Sequence, residues 1–432
     1  MKKAGKMLLT FSLSVGLLMT GCSKDTSTNV KGKGGETVTL RIGTWEGGDG
    51  QAMQQKIADA YMAKHPNVKI QIESVPDQYG TKLLTQIAGG DAPDIFQIGD
   101  GDIRTFMEKG ALEDLNTYAD GKNGIKKEDY YQNVLDVGTI DGKLYTMPKD
   151  YSTLAVFYNK SLFDKAGVPY PKKGWTWDDF YAISKKLTKT ENGKIVQWGA
   201  KLGGAEQRFL LPILYSYGGS FISDDGKKFE GYLNSAGSKE ALKFYHDMYF
   251  KDKITPSNAD SEAFKGVDLF GAQKVAMNVM GRWPVTDYKA NPDLKFGTVE
   301  LPQGPQKDVN TIFYAGYGLY SKSKNKDAAW DYLKYLTGPE GEKVFADHAF
   351  TAVKSVAEEK GQTTDPILKP FIDGISKIQI FPERISPYYT TTGSKEVASL
   401  MEQFMLGKQI NIDEELDKAA KNSDELLSKE QK

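Results

Sequence analysis

The sequence predicts an α/β protein built as two lobes, and three observations carry that expectation. Between residues 38 and 109, alternating apolar stretches change places with helical ones in the order strand, helix, strand, helix, strand. That order makes a parallel sheet with helices packed on it. The chain, at 432 residues, is longer than one hydrophobic core serves. Its 39% hydrophobic and 26% charged residues are ordinary globular values, so both lobes can fill a core.

Val38, Leu40 and Ile42 alternate and predict the first strand. From Gln51 to Lys64, the residues Met53, Ile57, Ala60 and Tyr61 recur at helical spacing until Pro66 stops the run. The turn Gly47-Gly48-Asp49-Gly50 feeds this helix, with Asp49 or Gly50 as its cap. Val68, Ile70 and Ile72 alternate again; Tyr79, Leu83, Leu84 and Ile87 make a second helical face, ended by Gly89-Gly90. After the turn Asp91-Ala92-Pro93-Asp94 come a third strand, with Ile95, Phe96 and Ile98, and a third helix from Asp102 to Lys109. In such sheets ligands sit beyond the carboxyl ends of the strands. Those ends carry Thr44-Trp45-Glu46 and Gly99-Asp100-Gly101-Asp102.

Further along, Thr153 to Tyr158 is a β-branched and aromatic run. Thr176 and Asp179 form a capping box ahead of Phe180, Ile183 and Leu187, and packing is the favoured role for Trp175 and Trp177 beside it. Strand-like "KVAMNVMGRW" ends in Gly281-Arg282-Trp283, and "TIFYAGYGLY" precedes a helix on which Ala328, Tyr332, Tyr335 and Leu336 share a face. Two closing helices are split at Gly407.

The amino terminus reads as an address. Lys2, Lys3 and Lys6 precede an apolar run from Met7 to Met19, about half the ~20 residues of a spanning helix. The small residues Thr20 and Gly21 then lead into Cys22, the single cysteine of the chain. A cysteine placed directly after such a run resembles a bacterial lipobox. This implies a signal peptide over residues 1–21 and a diacylglycerol-bearing Cys22 holding the protein on the outer face of the cell membrane. Residues 22–36 read as a tether, with Val30 its single large apolar residue.

Several function classes lose support. The leader holds three lysines and no acid, so its removal takes the net charge from −1 to −4, which argues against nucleic acid as partner. Three histidines lie far apart, and no H-E-x-x-H, G-x-S-x-G or G-x-x-x-x-G-K-[ST] string occurs. No metal or other cofactor is expected. Glycosidases escape this test, since two carboxylates with no fixed spacing suffice for them.

"TLRIGTWEGGDGQAMQQKIADAYMAKHPNVKIQIESV" resembles the opening of the extracellular solute-binding proteins of the maltose-binding type, lipoproteins that serve ABC importers. "KLLTQIAGGDAPDIFQIGDGDIRTFMEKGALEDL", "DGKLYTMPKDYSTLAVFYNKSLFDKAGV", "KVAMNVMGRWPV" and "AAWDYLKYLTGPEG" continue the resemblance in the family's order over nearly all of the mature chain. The resemblance implies a type II periplasmic-binding-protein-like fold. One lobe would comprise residues 37–148 and about 305–347, the other about 149–304 and 348–432, with a ligand cleft between them that closes by hinge bending. It implies a monomeric, non-enzymatic protein that binds a carbohydrate, an oligosaccharide first of all, and delivers it to an ABC permease.

A sugar offers hydroxyls around its ring and C–H groups on its faces, so its site needs flat aromatics together with carboxylates, amides or arginine. Trp283 stands where the family stacks a sugar, the alternative being a core tryptophan; Arg282 beside it is equally a hydroxyl ligand or a solvated charge. Trp45 and Glu46 face the cleft from the first strand's end. One of Asp100 and Asp102 is expected to reach the ligand, with Asp102 the better helix cap. Tyr151 lies at the first crossing, and Arg208 lies where relatives place a ligand-binding group. Tyr314 and Gly316 occupy the second crossing, the glycine letting backbone approach a ligand. One of Tyr388 and Tyr389, following the last crossing, is expected to stack. The competing readings are an extracellular glycosidase, a binding module that serves a sensor kinase, and import of a polyol phosphate or polyamine.

Overall fold

A computed structural model describes residues 37–203 and 206–431, so the expected leader, Cys22 and the whole tether lie outside the described residues. The strands in chain order are β1 Val38–Thr44, β2 Val68–Ser74, β3 Ile95–Gly99, β4 Thr139–Ile140, β5 Lys143–Leu144, β6 Thr146–Thr153, β7 Ala155–Asn159, β8 Lys189–Glu191, β9 Lys194–Leu202, β10 Val275–Met280, β11 Phe296–Val299 and β12 Ile312–Leu319. β1 pairs in parallel with β2 and with β3. The helices Gly48–Lys64 and Tyr79–Gly89 supply the crossovers. Leu40, Ile42 and Ile70 are buried as their alternation predicts, whereas in β3 the consecutive residues Ile95 to Ile98 are all buried, as in a strand covered on both faces.

Two local details differ from the sequence reading. Gly47 caps the first helix in an extended conformation, and Asp49 sits inside its first turn, where its charge meets the helix dipole. The buried stripe of that helix is Gln54, Ile57, Ala58 and Tyr61, leaving Ala60 in solvent. A rotation of 3.6 residues per turn puts those four on one line.

The first sheet runs β2-β1-β3-β12-β6 and the second β11-β7-β10-β9-β8. The first is mixed, because β12 is antiparallel to both β3 and β6. The second joins β9 and β10 in parallel and the other neighbours antiparallel. β12 lies more than 200 residues beyond β3 in sequence, and no local pattern announces such a pairing. The capping box of Thr176 and Asp179 is present, and Trp175 and Trp177 are buried beside it. Trp175 donates its indole N–H to the Glu300 carbonyl at 2.9 Å. In the helix Lys326–Leu336 the buried face includes Trp330 and Leu333 beside the expected Tyr332 and Leu336. Gly407, at φ 66°, separates the helices Gly393–Met405 and Ile412–Glu430.

There are two cores, one centred on each sheet, and the first also takes in Phe157 of β7. The first gathers Leu40, Phe96, Tyr317, Phe350 and Phe371, and the second Val156, Leu210, Met277 and Phe404. The chain passes between sheets at Leu154, the one residue separating β6 from β7, and returns ahead of β12. It passes a third time between Ile375, which packs in the first core, and Phe381, which packs in the second. All three passages meet at Asn310, which is 2% exposed. Its side-chain oxygen accepts from Leu154 N at 3.0 Å, and its side-chain nitrogen donates to Leu154 O at 2.9 Å. Its backbone N–H donates to Lys377 O at 2.8 Å, and its carbonyl accepts from Gln379 N at 2.9 Å.

Candidate functional site

The carboxyl ends of β1 and β3 hold two polar arrangements. After β1, Thr44 bonds Gln97 and Gln54 through its hydroxyl and accepts the Glu46 N–H at 3.0 Å. The Glu46 carboxylate accepts from Lys149 Nζ at 2.8 Å and from Gln97 Nε2 at 3.2 Å. Lys149 also pairs with Asp150. Burial works against the charge on Glu46, but Lys149 and Gln97 outweigh it and hold the carboxyl below its usual range. Burial likewise opposes the Lys149 ammonium, and Asp150 and Glu46 outweigh it, keeping that group charged. Half-buried Trp45 stands edge-on to Tyr79 with ring centres 5.6 Å apart.

Beyond β3, Asp100 Oδ2 meets Arg208 Nη1 at 2.6 Å. The same nitrogen donates to Ile312 O at 2.9 Å, and Nη2 reaches Glu383 Oε2 at 3.4 Å. The guanidinium stands 4.5 Å from the ring centre of Phe381 and 5.6 Å from that of Phe313. Burial alone would lower the Arg208 pKa, but the charges of Asp100 and Glu383 raise it. Burial pushes Glu383 up, against the pull of Arg208. A Cβ on Gly101 would meet the Glu383 carboxylate and push it aside. Arg384 donates to the carbonyls of Val137 and Thr139, and Arg104 donates to the Arg384 carbonyl at 2.8 Å. The turn Pro382–Arg384 is therefore fastened to residues of the first core and faces Arg208 from the second. A cavity of about 180 Å³ lies beside it, lined by Asp100, Val137, Ile312, Phe381 and Arg384.

Trp283 is 50% exposed and stands edge-on to Phe313, ring centres 5.1 Å apart. Its ring lies back over Gly281, where a Cβ would come within 2.0 Å of it. Contacts thus run from Asp100 through Arg208 and Phe313 to Trp283, bringing three of the expected residues into one constellation. Trp45 and Glu46 lie at the neighbouring strand end of the first sheet. Asp102 is exposed at the cap of the helix Ile103–Glu108, and its carboxylate makes no capping bond.

The other expected residues are drawn inward. Tyr151 is 3% exposed and stacks on Phe350 at 5.6 Å. The Arg282 guanidinium sits 4.9 Å from the same ring and donates to Asp347 O at 3.3 Å. It is neither solvated nor turned to the surface, and burial pushes its pKa down to about 10. Tyr314 is buried with its hydroxyl on that of Thr146 at 2.9 Å. Gly316 leaves no open approach, since a Cβ there would strike the Tyr314 hydroxyl at 2.4 Å; its small size serves packing beside an irregularity of β12. Of the tyrosine pair, Tyr389 is fully buried and donates to Gln207 Oε1 at 2.6 Å, while Tyr388 is half-buried.

Sequence reading missed Phe313, Phe381, Glu383, Arg384 and Lys149. Phe313 was within reach: neighbours on a strand point to opposite faces, and Tyr314 takes the inward one. Phe381 to Arg384 form an irregular turn without periodicity, and nothing local marks them.

The model of the bacterial extracellular solute-binding proteins matches residues 44–343. A Brucella abortus protein described only as a binding protein is 31% identical over 294 residues, covering 65% of this chain and 67% of its own. The arabinooligosaccharide-binding protein of Bacillus subtilis is 27% identical over 361 residues, covering 79% of this chain and 77% of its own. An ABC substrate-binding protein of Listeria monocytogenes, solved in complex with cycloalternan, superposes with a TM-score of 0.76 at 25% identity, covering 92% of this chain and 99% of that one. With that likeness in fold and a family model that spans well over half of its length, the chain belongs to the bacterial extracellular solute-binding protein family.

Proposed function

We propose that this protein binds a carbohydrate, an oligosaccharide first of all, in the cleft between its two sheets and hands it to an ABC permease for import. The constellation Asp100–Arg208–Phe313–Trp283 carries the reading. It pairs a carboxylate and a guanidinium, which hold ring hydroxyls, with a half-exposed indole, which takes the C–H face of a sugar. Relatives named for oligosaccharide binding support it further. Trp45, Glu46 and Asp102 are the other contacts offered by the strand ends, and Tyr388 the one offered by the last crossing. Catalysis is not part of the proposal. Glu46 is held ionised by Lys149, the reverse of what a general acid needs.

The lobes of this reading are residues 37–148 with about 305–347, and about 149–304 with 348–432. The pairing of β6 with β12 supports carrying the first boundary on to Leu154. The protein would act as a monomer, held on the outer face of the membrane by a lipid on Cys22 after removal of residues 1–21. Among the described residues no helix is long and apolar enough to cross a membrane.

The test is tryptophan emission and melting temperature of residues 37–432 against mono- and oligosaccharides, with the sugar recovered afterwards. A ligand at 100 times its Kd adds about 2.7 kcal/mol to stability. A stabilising sugar recovered intact is expected. Sugar recovered cleaved would replace the reading with hydrolysis, and no response to any sugar would overturn it. Gly281→Ala displaces the Trp283 ring. It is expected to weaken binding by about 0.5–1.5 kcal/mol, the worth of one aromatic contact, and to shift the emission maximum while the far-ultraviolet circular dichroism stays unchanged.

A further inference from the structure

A cavity of about 620 Å³ opens at the end of the second sheet away from Trp283. β9 and β10 run parallel, with Trp198 in register with Val275, the first residue of β10, whereas Trp283 follows the last. The walls come from the start of β9, the segment after the helix Ala236–Tyr249, the helix Asn258–Ala263 and the turn Leu406–Gly407. No residue of the first core and none of the Asp100–Arg208 constellation lines it. Its volume falls in the range of about 300–1,000 Å³ typical of small-molecule sites.

The wall leaves polar groups unbonded. Trp198 and Thr255 are each 3% exposed, and neither the indole N–H nor the threonine hydroxyl has a partner among the described residues. A buried polar group without a hydrogen bond is unfavourable and uncommon, and two of them belong to one lining. Lys194 and Lys253 also line the cavity, and both are exposed. The acids nearest Lys253 in sequence are engaged elsewhere, Asp252 with Lys185 at 2.9 Å and Asp247 with Lys251 at 3.3 Å. Glu191 is the register partner of Lys194 in the β8–β9 hairpin, but their side chains form no ion pair. Asp260 is the one acid in the lining among the described residues. Its Oδ2 accepts from Ser257 N at 2.9 Å and from Ser257 Oγ at 2.6 Å, as the cap of its own helix.

These groups narrow the occupant. An indole N–H and an ammonium donate and cannot accept. An ionised carboxylate accepts and cannot donate, so it answers them, and the bonds it makes to ammonium groups are the strong, charge-assisted kind. A sugar would bring hydroxyl donors to a wall whose free groups are mostly donors, and an amine would meet two lysines. The rest of the lining is apolar and aromatic. Phe264 stands edge-on to Trp198 with ring centres 6.1 Å apart, and Leu406 is 51% exposed. Apolar surface left in water beside free donors is the kind that marks a binding site.

We propose that this cavity is a second ligand site, separate from the cleft, and that it takes a small aromatic carboxylate. The ring lies against the apolar wall of Phe264 and Leu406, and the carboxylate is served by Lys194, Lys253 and the Trp198 N–H. The site does not depend on the carbohydrate reading. Since no group of the first core takes part, filling it requires no movement of one lobe against the other.

The test is titration of the protein, carrying ¹⁵N-labelled tryptophan, with three compounds that share one ring: 3-phenylpropionate, its neutral amide and 3-phenylpropylamine. The chain has six tryptophans, so the spectrum holds six indole signals, and Trp198→Phe identifies the one at issue. The carboxylate is expected to move the Trp198 signal and to leave those of Trp45 and Trp283 in place. The amide is expected to bind at least about tenfold more weakly, and the amine not to bind. Lys194→Gln and Lys253→Gln change exposed side chains, so the fold survives both. Each is expected to lower affinity for the carboxylate at least about fivefold with the melting temperature unchanged. Equal affinity for all three compounds, or no loss in either lysine variant, overturns the site. So does a shift of the Trp45 or Trp283 signal in place of that of Trp198, or a carboxylate that does not bind. The carbohydrate reading stands in each of those cases.

Discussion

Arg208→Ala is expected to lower folding stability by about 3–5 kcal/mol, the usual cost of removing one partner from a buried ion pair. The side chains of Arg208 and Asp100 are 14% and 9% exposed, so water cannot replace the lost guanidinium. The variant leaves Asp100 and Glu383 without the cation they share. The deficit is also expected to depend on pH. Burial already raises the Glu383 pKa, and Arg208 is the group pulling it down. Without Arg208 the folded-state value rises further. An acid whose pKa is higher folded than unfolded stabilises below its unfolded value, and that contribution is lost as pH rises through the folded one. The deficit should therefore be larger at pH 7 than at pH 4.5, as urea denaturation at both pH values will read. A loss below about 1 kcal/mol at both would mark the pair as a solvated surface contact. Arg208→Lys should restore only part of the loss, since an ammonium cannot serve Asp100, Glu383 and two aromatic faces together.

Glu342→Gln is expected to stabilise the protein at neutral pH. Glu342 is 1% exposed, in the helix Pro339–Phe345, and burial pushes its carboxyl far above the usual range, with the nearby charge of Asp150 adding to the shift. Its folded form thus holds a proton that the unfolded chain gives up near pH 4.3. Stability from this group is complete below that pH and is lost as pH rises toward the folded pKa, at up to about 1.4 kcal/mol per pH unit. Glutamine keeps the shape and has no proton to lose. Denaturation between pH 4 and 8 should show the variant matching the parent at the acid end and exceeding it at pH 7, with a flatter slope. A variant equally destabilised across the range would mean that Glu342 is charged and paired.

Much of the fold was legible because local pattern and tertiary position agree. Val38 to Ile98 reads correctly as strands and helices since β1 and β2 are apolar on alternate residues, β3 is a short apolar run bounded by turns, and each crossover helix carries one apolar stripe. The Thr176–Asp179 box is a purely local device and is found where its spacing puts it. The mixed character of the first sheet was not legible, because β12 joins β3 only through contacts distant in sequence. Asp100, Arg208 and Trp283 of the candidate constellation are named from strand ends and family likeness. Tyr151, Tyr314 and Gly316 were picked for nearness to a crossing, and nearness does not tell which way a side chain points. Tyr151 and Tyr314 beside the crossings are both buried, so the large residues there turn inward.

The meeting of three passages at Asn310 has a mechanical consequence. Sliding one sheet along the other would strain at least four hydrogen bonds held by a single buried residue, whereas turning about it strains few. Asn310 is then a fulcrum, and each sheet a lever arm whose travel grows with distance from it. Groups near the pin keep nearly the same neighbours throughout the swing. Those far from it exchange theirs. Groups at the floor can thus meet a ligand from the first encounter, and groups at the rim govern how long it stays.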